Sequence, residues 1–231
     1  MSNKSEKKRI KEEKKAAAQR SEKRNALLIK ISGFILVPLV IIVLLQGLFT
    51  GAPVVAPDQI TELDHVKGNP EAPLTITVYA DFQCPSCLTE TELMARAWSQ
   101  INDKVKVVFR HFPLDSHRHA FLAARYAEAA ARQGKFWEMH DILFLNQVLW
   151  AALPDAEEVF DSYAAQIGLD IEQLKADMAQ SDIREKIVAD QQGGIRAGVR
   201  STPAMYLNGR PINNPRSAGE LINIVNEALA Q

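Results

Sequence analysis

The sequence has few cysteines. Its 231 residues include only Cys84 and Cys87, three positions apart in the stretch YADFQCPSCLTETELM. This excludes a small secreted scaffold held by several disulfides, because such scaffolds carry four or more cysteines at scattered spacings. It also excludes a zinc site built from four cysteines. The remaining interpretations are a redox pair, a short inert disulfide, or a metal site that recruits histidines.

Four histidines follow the cysteine pair and are the available partners for such a metal site: His111, His117, His119 and His140. Their spacing matches none of the ligand patterns typical of zinc, and RHFPLDSHRH is better interpreted as a polar loop leading into a helix. An inert disulfide is also disfavoured, because closing so small a loop constrains the unfolded chain little. The sequence therefore predicts no metal, and no cofactor beyond a redox-active disulfide.

Residues 1–25 almost lack large apolar side chains, so they cannot form a hydrophobic core. Residues 1–30 carry eleven Lys/Arg against four Asp/Glu, which leaves 16 of the 27 basic and 24 of the 28 acidic residues for the rest of the chain. We predict a solvated basic tail over 1–25, attached to an acidic body. A nucleic-acid-binding arm is the alternative, but the apolar segment that follows favours a cytoplasmic tail next to a membrane.

Residues 31–49 lack charge altogether. Nineteen such residues are long enough to cross the hydrocarbon core of a bilayer, about 30 Å, as a helix. The sequence predicts a transmembrane signal anchor over 26–49, with the preceding basic residues in the cytoplasm. A cleaved secretory signal is the alternative. Its apolar region is expected to be shorter, about 7–15 residues, and the candidate cleavage sites at Ala52 and Ala56 are each followed by proline.

The body begins with an alternation of strand and helix. Residues 50–73 are rich in proline and polar residues and predict a linker. Residues 74–82 (LTITVYADF) and 105–112 (VKVVFRHF) predict strands, and a helix begins between them at Pro85. Strand, helix and strand in about forty residues predict a βαβ unit with parallel strands.

From about residue 116 to 195 the pattern is helical, with apolar residues at helical spacing such as Phe136, Met139 and Leu143. The stretch TPAMYLNGRPI then predicts two short strands joined by an Asn-Gly turn at 208–209, and a final helix follows. Over 74–231 the predicted order is βαβ, an all-helical block, then ββα, which is an α/β domain.

Two motifs in this body carry a resemblance to a known family: GNPEAPLTITVYADFQCPSC and GVRSTPAMYLNGRPI. They resemble the DsbA-like thiol–disulfide oxidoreductases of the thioredoxin-fold superfamily, over roughly residues 64–227. The resemblance implies a thioredoxin fold with an all-helical insertion and a catalytic pair, Cys84 and Cys87. It also implies that Thr202 and Pro203 bind an extended client segment, with the proline cis and beside the cysteines.

The position of each cysteine predicts its role. At the start of a helix, Cys84 faces unpaired backbone N–H groups and the positive end of the helix dipole, both of which lower the pKa of a thiol. We expect Cys87, one turn later, to be more buried and to resolve the mixed disulfide that Cys84 forms with a client. Pro85 and Ser86 are expected to tune the pair, Ser86 through a hydrogen bond to the thiolate.

The sequence departs from the family pattern near this pair. Val78 stands where many relatives carry a buried acid, six residues before the first cysteine. Without that acid, we expect solvent or Ser86 to exchange the proton of Cys87. Asp81 lies nearer the motif and is expected to be more exposed, at the end of a strand. The dipeptide between the cysteines also lacks the histidine of the strongest oxidants in the family.

These features predict a single-pass protein of the bacterial inner membrane, with its catalytic domain in the periplasm or otherwise outside the cytoplasm. We expect it to donate disulfides to exported client proteins and to be re-oxidised by a quinone-linked membrane partner. One alternative is a reductase or isomerase kept reduced by a membrane partner. Another is a thioredoxin-fold binding module or chaperone with incidental cysteines. Nucleic acid is not among the expected partners.

Overall fold

The structure of the protein is a computed structural model that describes residues 56–230. The predicted basic tail (1–25), the predicted transmembrane segment (26–49) and the start of the predicted linker (50–55) lie outside the described residues. Between residues 56 and 230, no helix has both the length and the apolar character needed to span a bilayer.

A five-stranded sheet lies at the centre of the described residues. Its strands are β1 (His65–Gly68), β2 (Leu74–Ala80), β3 (Val105–His111), β4 (Ala204–Leu207) and β5 (Arg210–Ile212). Their order across the sheet is β1-β3-β2-β4-β5. Strands β2 and β3 are parallel, which confirms the predicted βαβ unit, and the other three pairs are antiparallel.

Eight helices lie within residues 56–230: α1 (Pro85–Ile101), α2 (Ala120–Arg132), α3 (Phe136–Leu145), α4 (Gln147–Trp150), α5 (Glu157–Gln166), α6 (Ile171–Met178), α7 (Ser181–Ala197) and α8 (Ala218–Leu229). No strand interrupts α2 to α7. The predicted helical insertion at about 116–195 is therefore confirmed, as is the mixed α/β thioredoxin-like fold.

Part of the predicted linker is a strand, so the linker prediction over 50–73 is wrong for these residues. His65–Gly68 forms β1 along the edge of β3. Next to it, the Arg110 side chain binds the carboxylate of Asp64 at 3.0 Å, with both side chains almost fully buried. A four-residue edge strand whose side chains alternate between half-buried and exposed offers too short a hydrophobic pattern to be recognised.

The core extends from the sheet into the helical insertion. Phe136, Met139 and Leu143 are buried in it, as their spacing predicts, and Cys87 belongs to the same cluster. At the far edge, Asn208 and Gly209 have φ values of 46° and 77°, the left-handed backbone that a two-residue hairpin turn requires. The predicted hairpin between β4 and β5 is thus confirmed.

Candidate functional site

Cys84 lies in the loop between strand β2 and helix α1. It is the residue that caps the helix, and α1 begins at the next residue, Pro85, where the missing N–H of proline is not needed. The backbone N–H groups of Ser86 and Cys87 are directed at the Cys84 sulfur. Ser86 therefore acts on the sulfur through its backbone, and its side chain is exposed.

The Cys84 thiol is acidified by this environment. The largest cause is a hydrogen bond from the Cys87 thiol. Burial opposes ionisation, while Thr202 and the two backbone N–H groups favour it, and the pKa of Cys84 falls from 9.0 to about 5. The sulfur is therefore a thiolate at neutral pH, which is the nucleophilic form of cysteine.

Cys87 has the opposite character. Its side chain is 0% exposed, and its sulfur accepts a hydrogen bond from the backbone N–H of Asp81 at 3.5 Å. Burial raises the pKa of Cys87, and the adjacent Cys84 raises it further. The two cysteines form no disulfide in this structure, so the site is described in its reduced state, with one ionised and one protonated sulfur.

Thr202 and Pro203 border the cysteine pair from the loop before β4. The peptide bond between them is cis, as the resemblance implies. The carbonyl oxygen of Thr202 lies 3.5 Å from the Cys84 sulfur. The Thr202 hydroxyl is buried and has no hydrogen-bond partner of good geometry among the described residues, yet it lies near enough to both sulfurs to lower the pKa of each.

Gln147 holds the loop that carries Cys84, and the sequence analysis did not identify it. Its buried side-chain amide donates to the carbonyl oxygens of Phe82 at 2.8 Å and Cys84 at 2.9 Å. A second glutamine, Gln83, donates to the carbonyl oxygen of Ala151 at 2.9 Å. The available signal was a glutamine in the largely apolar segment around α4, a pattern typical of a polar group with a buried partner.

Asp81 was predicted to be more exposed, and this is wrong, since it is only 1% exposed. Its carboxylate accepts hydrogen bonds from the backbone N–H groups of Gln83 at 2.7 Å and Leu114 at 2.8 Å, and lies 2.7 Å from Nδ1 of His117. Burial raises the pKa of Asp81, and these three partners partly offset the rise. Leu114 and His117 lie in a loop more than thirty residues away along the chain, and their contacts bury Asp81 at the end of β2. The local sequence around Asp81 gives no sign of these contacts.

The four histidines considered as metal ligands do not share one site. Each lies within hydrogen-bonding distance of a different group: His111 of Glu128, His117 of Asp81, His119 of the Leu153 carbonyl oxygen, and His140 of Asp141. His111 belongs to β3 and, like His119, is buried. The interpretation of residues 110–119 as a polar loop therefore holds only in part.

One group of donor atoms among the described residues has the arrangement of a metal site. Ligand atoms of His65, His111 and Glu128 lie within 4.8 Å of one another. A single oxygen of Glu128 lies 2.8 Å from Nε2 of His65 and 2.7 Å from Nε2 of His111. Burial alone would raise the pKa of Glu128, but the two imidazoles hold it below its ordinary value. The carboxylate is thus satisfied without an ion.

The comparisons with known proteins agree with this architecture. The family profile described as thioredoxin matches residues 61–227. The chain belongs to the thioredoxin family. Among curated proteins, the Na(+)/H(+) antiporter NhaA 1 of Mycolicibacterium gilvum (strain PYR-GCK) is 39% identical over 166 residues, 70% of this chain and 26% of the relative. The NhaA antiporter of Herminiimonas arsenicoxydans is 34% identical, over 68% of this chain and 24% of the relative.

The chain thus spans about a quarter of the length of the curated relatives it matches. In contrast, the match to solved structures covers nearly the whole length of those structures. A thioredoxin-like oxidoreductase from Silicibacter pomeroyi is 25% identical, with a TM-score of 0.63 over 74% of this chain and 95% of that one. Wolbachia pipientis alpha-DsbA1 is 21% identical, with a TM-score of 0.65 over 73% and 92%. The domain therefore has DsbA-like structural neighbours.

Proposed function

We propose that this protein is a thiol–disulfide oxidoreductase that donates disulfide bonds to exported proteins. The observation that carries the proposal is the Cys84 sulfur, which has a pKa of about 5 at the start of α1 and lies 3.5 Å from the Thr202 carbonyl oxygen. The description of the structural neighbour at 25% identity as a thioredoxin-like oxidoreductase supports redox chemistry at this site.

In the proposed reaction the protein begins with a disulfide between Cys84 and Cys87. A client thiolate attacks the Cys84 sulfur, the bond between the two cysteines breaks, and the Cys87 sulfur takes the electron pair and then a proton. A second client thiolate attacks the client sulfur of the mixed disulfide and releases Cys84 as a thiolate. The client loses two electrons, and a quinone-linked membrane oxidase removes them from the cysteine pair.

The electrostatics of the site favour this direction. A low pKa makes Cys84 a good leaving group and stabilises the reduced form, which makes the disulfide a stronger oxidant. Pro85 and the backbone N–H of Ser86 contribute to this tuning by starting the helix at the sulfur. A reductase would be expected to stabilise its disulfide instead.

The surface next to the redox loop suits an unfolded client. Leu145, Val148 and Leu149 are 81%, 77% and 67% exposed, on either side of Gln147, whose amide reaches the Cys84 carbonyl. Clustered exposed apolar side chains are typical of protein-binding surfaces. In our proposal Thr202 and Pro203 bind the backbone of the client while these side chains contact its apolar residues.

We further propose that residues 26–49 anchor the protein in the bacterial inner membrane, with the redox domain outside the cytoplasm. The uncharged run and the basic residues before it support this orientation. Curated relatives named as Na(+)/H(+) antiporters carry a similar domain within much longer chains, which fits a redox domain held at a membrane. A C-terminal fusion to a phosphatase that is active only outside the cytoplasm should be active, and an inactive, well-expressed fusion would refute this topology.

Trapping of the thiols in living cells tests the direction of electron flow. Cells are quenched with acid, and free thiols are alkylated with a reagent that shifts the mass of the protein. A mostly oxidised Cys84–Cys87 pair supports the oxidase. A mostly reduced pair contradicts it and favours the reductase or isomerase.

Two cysteine variants test the assigned roles. Cys87→Ala should accumulate mixed disulfides between Cys84 and clients on a non-reducing gel, and Cys84→Ser should abolish them. If Cys84→Ser retains full activity toward clients, the redox proposal is wrong and the binding module or chaperone becomes the better interpretation.

A further inference from the structure

Three side chains away from the cysteine pair bring metal-ligating atoms together at one point of the fold. His65 lies on β1, His111 on β3 and Glu128 on α2, and we call them the His–Glu–His cluster. Nε2 of His65 and Nε2 of His111 lie 2.8 Å and 2.7 Å from the same oxygen, Oε1 of Glu128. Three separate elements of the fold therefore direct their ligand atoms at one position.

The cluster has the donor set of a zinc site. Zinc sites that keep an open position have three protein ligands, two histidines and a glutamate being one known set, and a water molecule as the fourth ligand. Bonds of about 2.0–2.2 Å in a tetrahedron place neighbouring ligand atoms about 3.3 Å apart. The nitrogen–oxygen distances of the cluster are shorter than this by only about half an ångström, so a small outward movement of the side chains admits the ion.

The two imidazole rings are held in place by aromatic neighbours. His65 stacks on Phe136 with ring centroids 3.5 Å apart, and His111 lies edge-on to Phe109 at 5.3 Å. The side chains of His65, His111 and Glu128 are 14%, 1% and 9% exposed. Ligands that packing already orients lose little freedom when they bind an ion, which favours a specific site.

A cavity of about 470 Å³ gives access to the cluster, and both His65 and Glu128 line it. Its lining includes six Asp/Glu and three Lys/Arg. Each of these Lys/Arg side chains forms an ion pair within the lining: Arg110 with Asp64, Arg132 with Asp182, and Lys186 with Asp190. The remaining acidic groups give the lining a net negative charge, which attracts cations, and the cavity has room for the water ligand.

The cluster is separate from the redox pair. Neither cysteine sulfur belongs to the group of ligand atoms. The ring of Phe82, two residues before Cys84, lies beside His111 with centroids 5.9 Å apart. Binding of an ion by the cluster therefore requires neither thiol.

Hydrogen bonding alone is the other interpretation of the cluster. In that case two imidazole N–H groups donate to Glu128 and fix α2 to the sheet, and no metal binds. Nδ1 of His111 is buried without a hydrogen-bond partner among the described residues. Metal-binding histidines almost always donate their other N–H to a partner, whose loss costs about 10–100-fold in affinity, so an ion here is expected to bind less tightly than in a fully supported site.

We propose that His65, His111 and Glu128 bind one divalent transition-metal ion, with zinc as the first candidate, and that water from the adjoining cavity completes its coordination. Each imidazole binds the ion through Nε2 and carries its proton on Nδ1, and Glu128 binds through its carboxylate. The ion joins β1, β3 and α2, so it ties the helical insertion to the sheet. This inference goes beyond the proposed redox function and does not depend on it.

Titration of the purified full chain with zinc, in detergent, tests the site. The chain carries no polyhistidine tag, and Cys84 and Cys87 are first oxidised to the disulfide, so that no thiol binds the metal. One equivalent should bind with a dissociation constant below about 10 μM, as expected for three protein ligands without full outer support. Cobalt(II) should bind in its place and show the visible absorption of a tetrahedral complex.

Two variants remove a ligand each. Glu128→Gln and His65→Gln should each weaken zinc binding by about a hundredfold or more, at least the cost of losing an outer partner. Glu62→Gln, an exposed acid of the same cavity lining, is the matched control for charge. It should still bind one equivalent, with an affinity within about threefold of wild type because exposed charges are screened. His117→Gln is the control for a histidine outside the cluster and should bind like wild type.

Thermal unfolding gives a second readout. Zinc should raise the melting temperature of the wild type, because a ligand that binds the folded state stabilises it, and a chelator should reverse the rise. Glu128→Gln should show no such rise, whatever its own melting temperature.

Three results would overturn the inference. One is a wild-type protein in its disulfide form that binds no zinc, a result that needs no variant to fold. Another is wild-type affinity in both Glu128→Gln and His65→Gln. The third is binding by the reduced protein alone, which would assign the ion to the thiols of Cys84 and Cys87.

Discussion

The side-chain amide of Gln147 donates to the carbonyl oxygen of Cys84 at 2.9 Å. Gln147 comes from α4 in the helical insertion, whereas Cys84 lies between β2 and α1 of the thioredoxin core. The same amide also binds the Phe82 carbonyl oxygen at 2.8 Å. The insertion therefore fixes the position of the redox loop.

Gln147→Leu should lower the free energy of unfolding by about 1–3 kcal/mol, because it leaves the buried Phe82 carbonyl without this partner. The Cys84 carbonyl is less affected, since it also accepts from the N–H groups of Cys87 and Leu88. Urea unfolding monitored by tryptophan fluorescence measures the change. Gln100→Leu, on the exposed side of α1, is the control. A Gln147 variant as stable as that control would contradict the anchoring role.

Cys84 should titrate with a midpoint near pH 5, measured as thiolate absorbance at 240 nm in the reduced protein. Cys87→Ala removes the largest stabilising hydrogen bond, so the midpoint should rise toward the ordinary value. Ser86→Ala keeps the backbone N–H that faces the sulfur and should leave the midpoint unchanged. A wild-type midpoint close to 9.0 would be inconsistent with the acidified thiol.

The reduction potential should depend on pH in two regimes. Between pH 5 and 8 the reduced pair holds one proton, on Cys87, so the potential should fall by about 30 mV per pH unit for this two-electron couple. Below the Cys84 pKa of about 5, two protons accompany the electrons and the slope should be about 60 mV per unit. Equilibration with glutathione buffers across pH 4–8 measures both slopes. A single steep slope throughout would mean that Cys84 is not ionised.

The buried ion pair of Asp64 and Arg110 should stabilise the fold. Asp64→Asn removes the carboxylate that binds the buried Arg110 guanidinium and should lower the free energy of unfolding by about 3–5 kcal/mol at pH 7. Glu92→Gln, which breaks an exposed pair with Arg96 on α1, should change it by only about 0.3–0.5 kcal/mol. Urea unfolding of both variants measures the two changes in free energy. Equal changes would contradict a stabilising role for the buried pair.

The pH dependence of this effect follows from the pKa of Asp64. Burial raises that pKa, but the hydrogen bonds from Arg110 and the Thr61 N–H together hold it below 3.8. A group with a lowered folded-state pKa stabilises the fold above its ordinary pKa and loses that contribution as the pH falls through the folded value. The difference between wild type and Asp64→Asn should therefore shrink only below about pH 4.

Much of the fold was predictable because its signals are local. The apolar runs of β2 and β3, the proline at the start of α1 and the Asn-Gly turn each determine structure within a few residues. Strand β1 was missed because it gains its stability from a distant partner, β3, and its own four residues show no strong pattern.

The candidate site divides in the same way. Cys84 and Cys87 stand out in the sequence, and the position of Thr202 and Pro203 beside them agrees with the resemblance. The burial of Asp81 depends on the Leu114 N–H, more than thirty residues away, so local sequence misleads.

The short outer strands of the sheet affect how the domain behaves among unfolded chains. Strand β1 has four residues, and β5 has three, including Pro211. Sheet edges that are long and flat recruit other extended segments and seed aggregation, whereas short edges and proline resist this. Under the proposed function, the domain can thus release its clients as separate molecules rather than becoming the template on which they assemble.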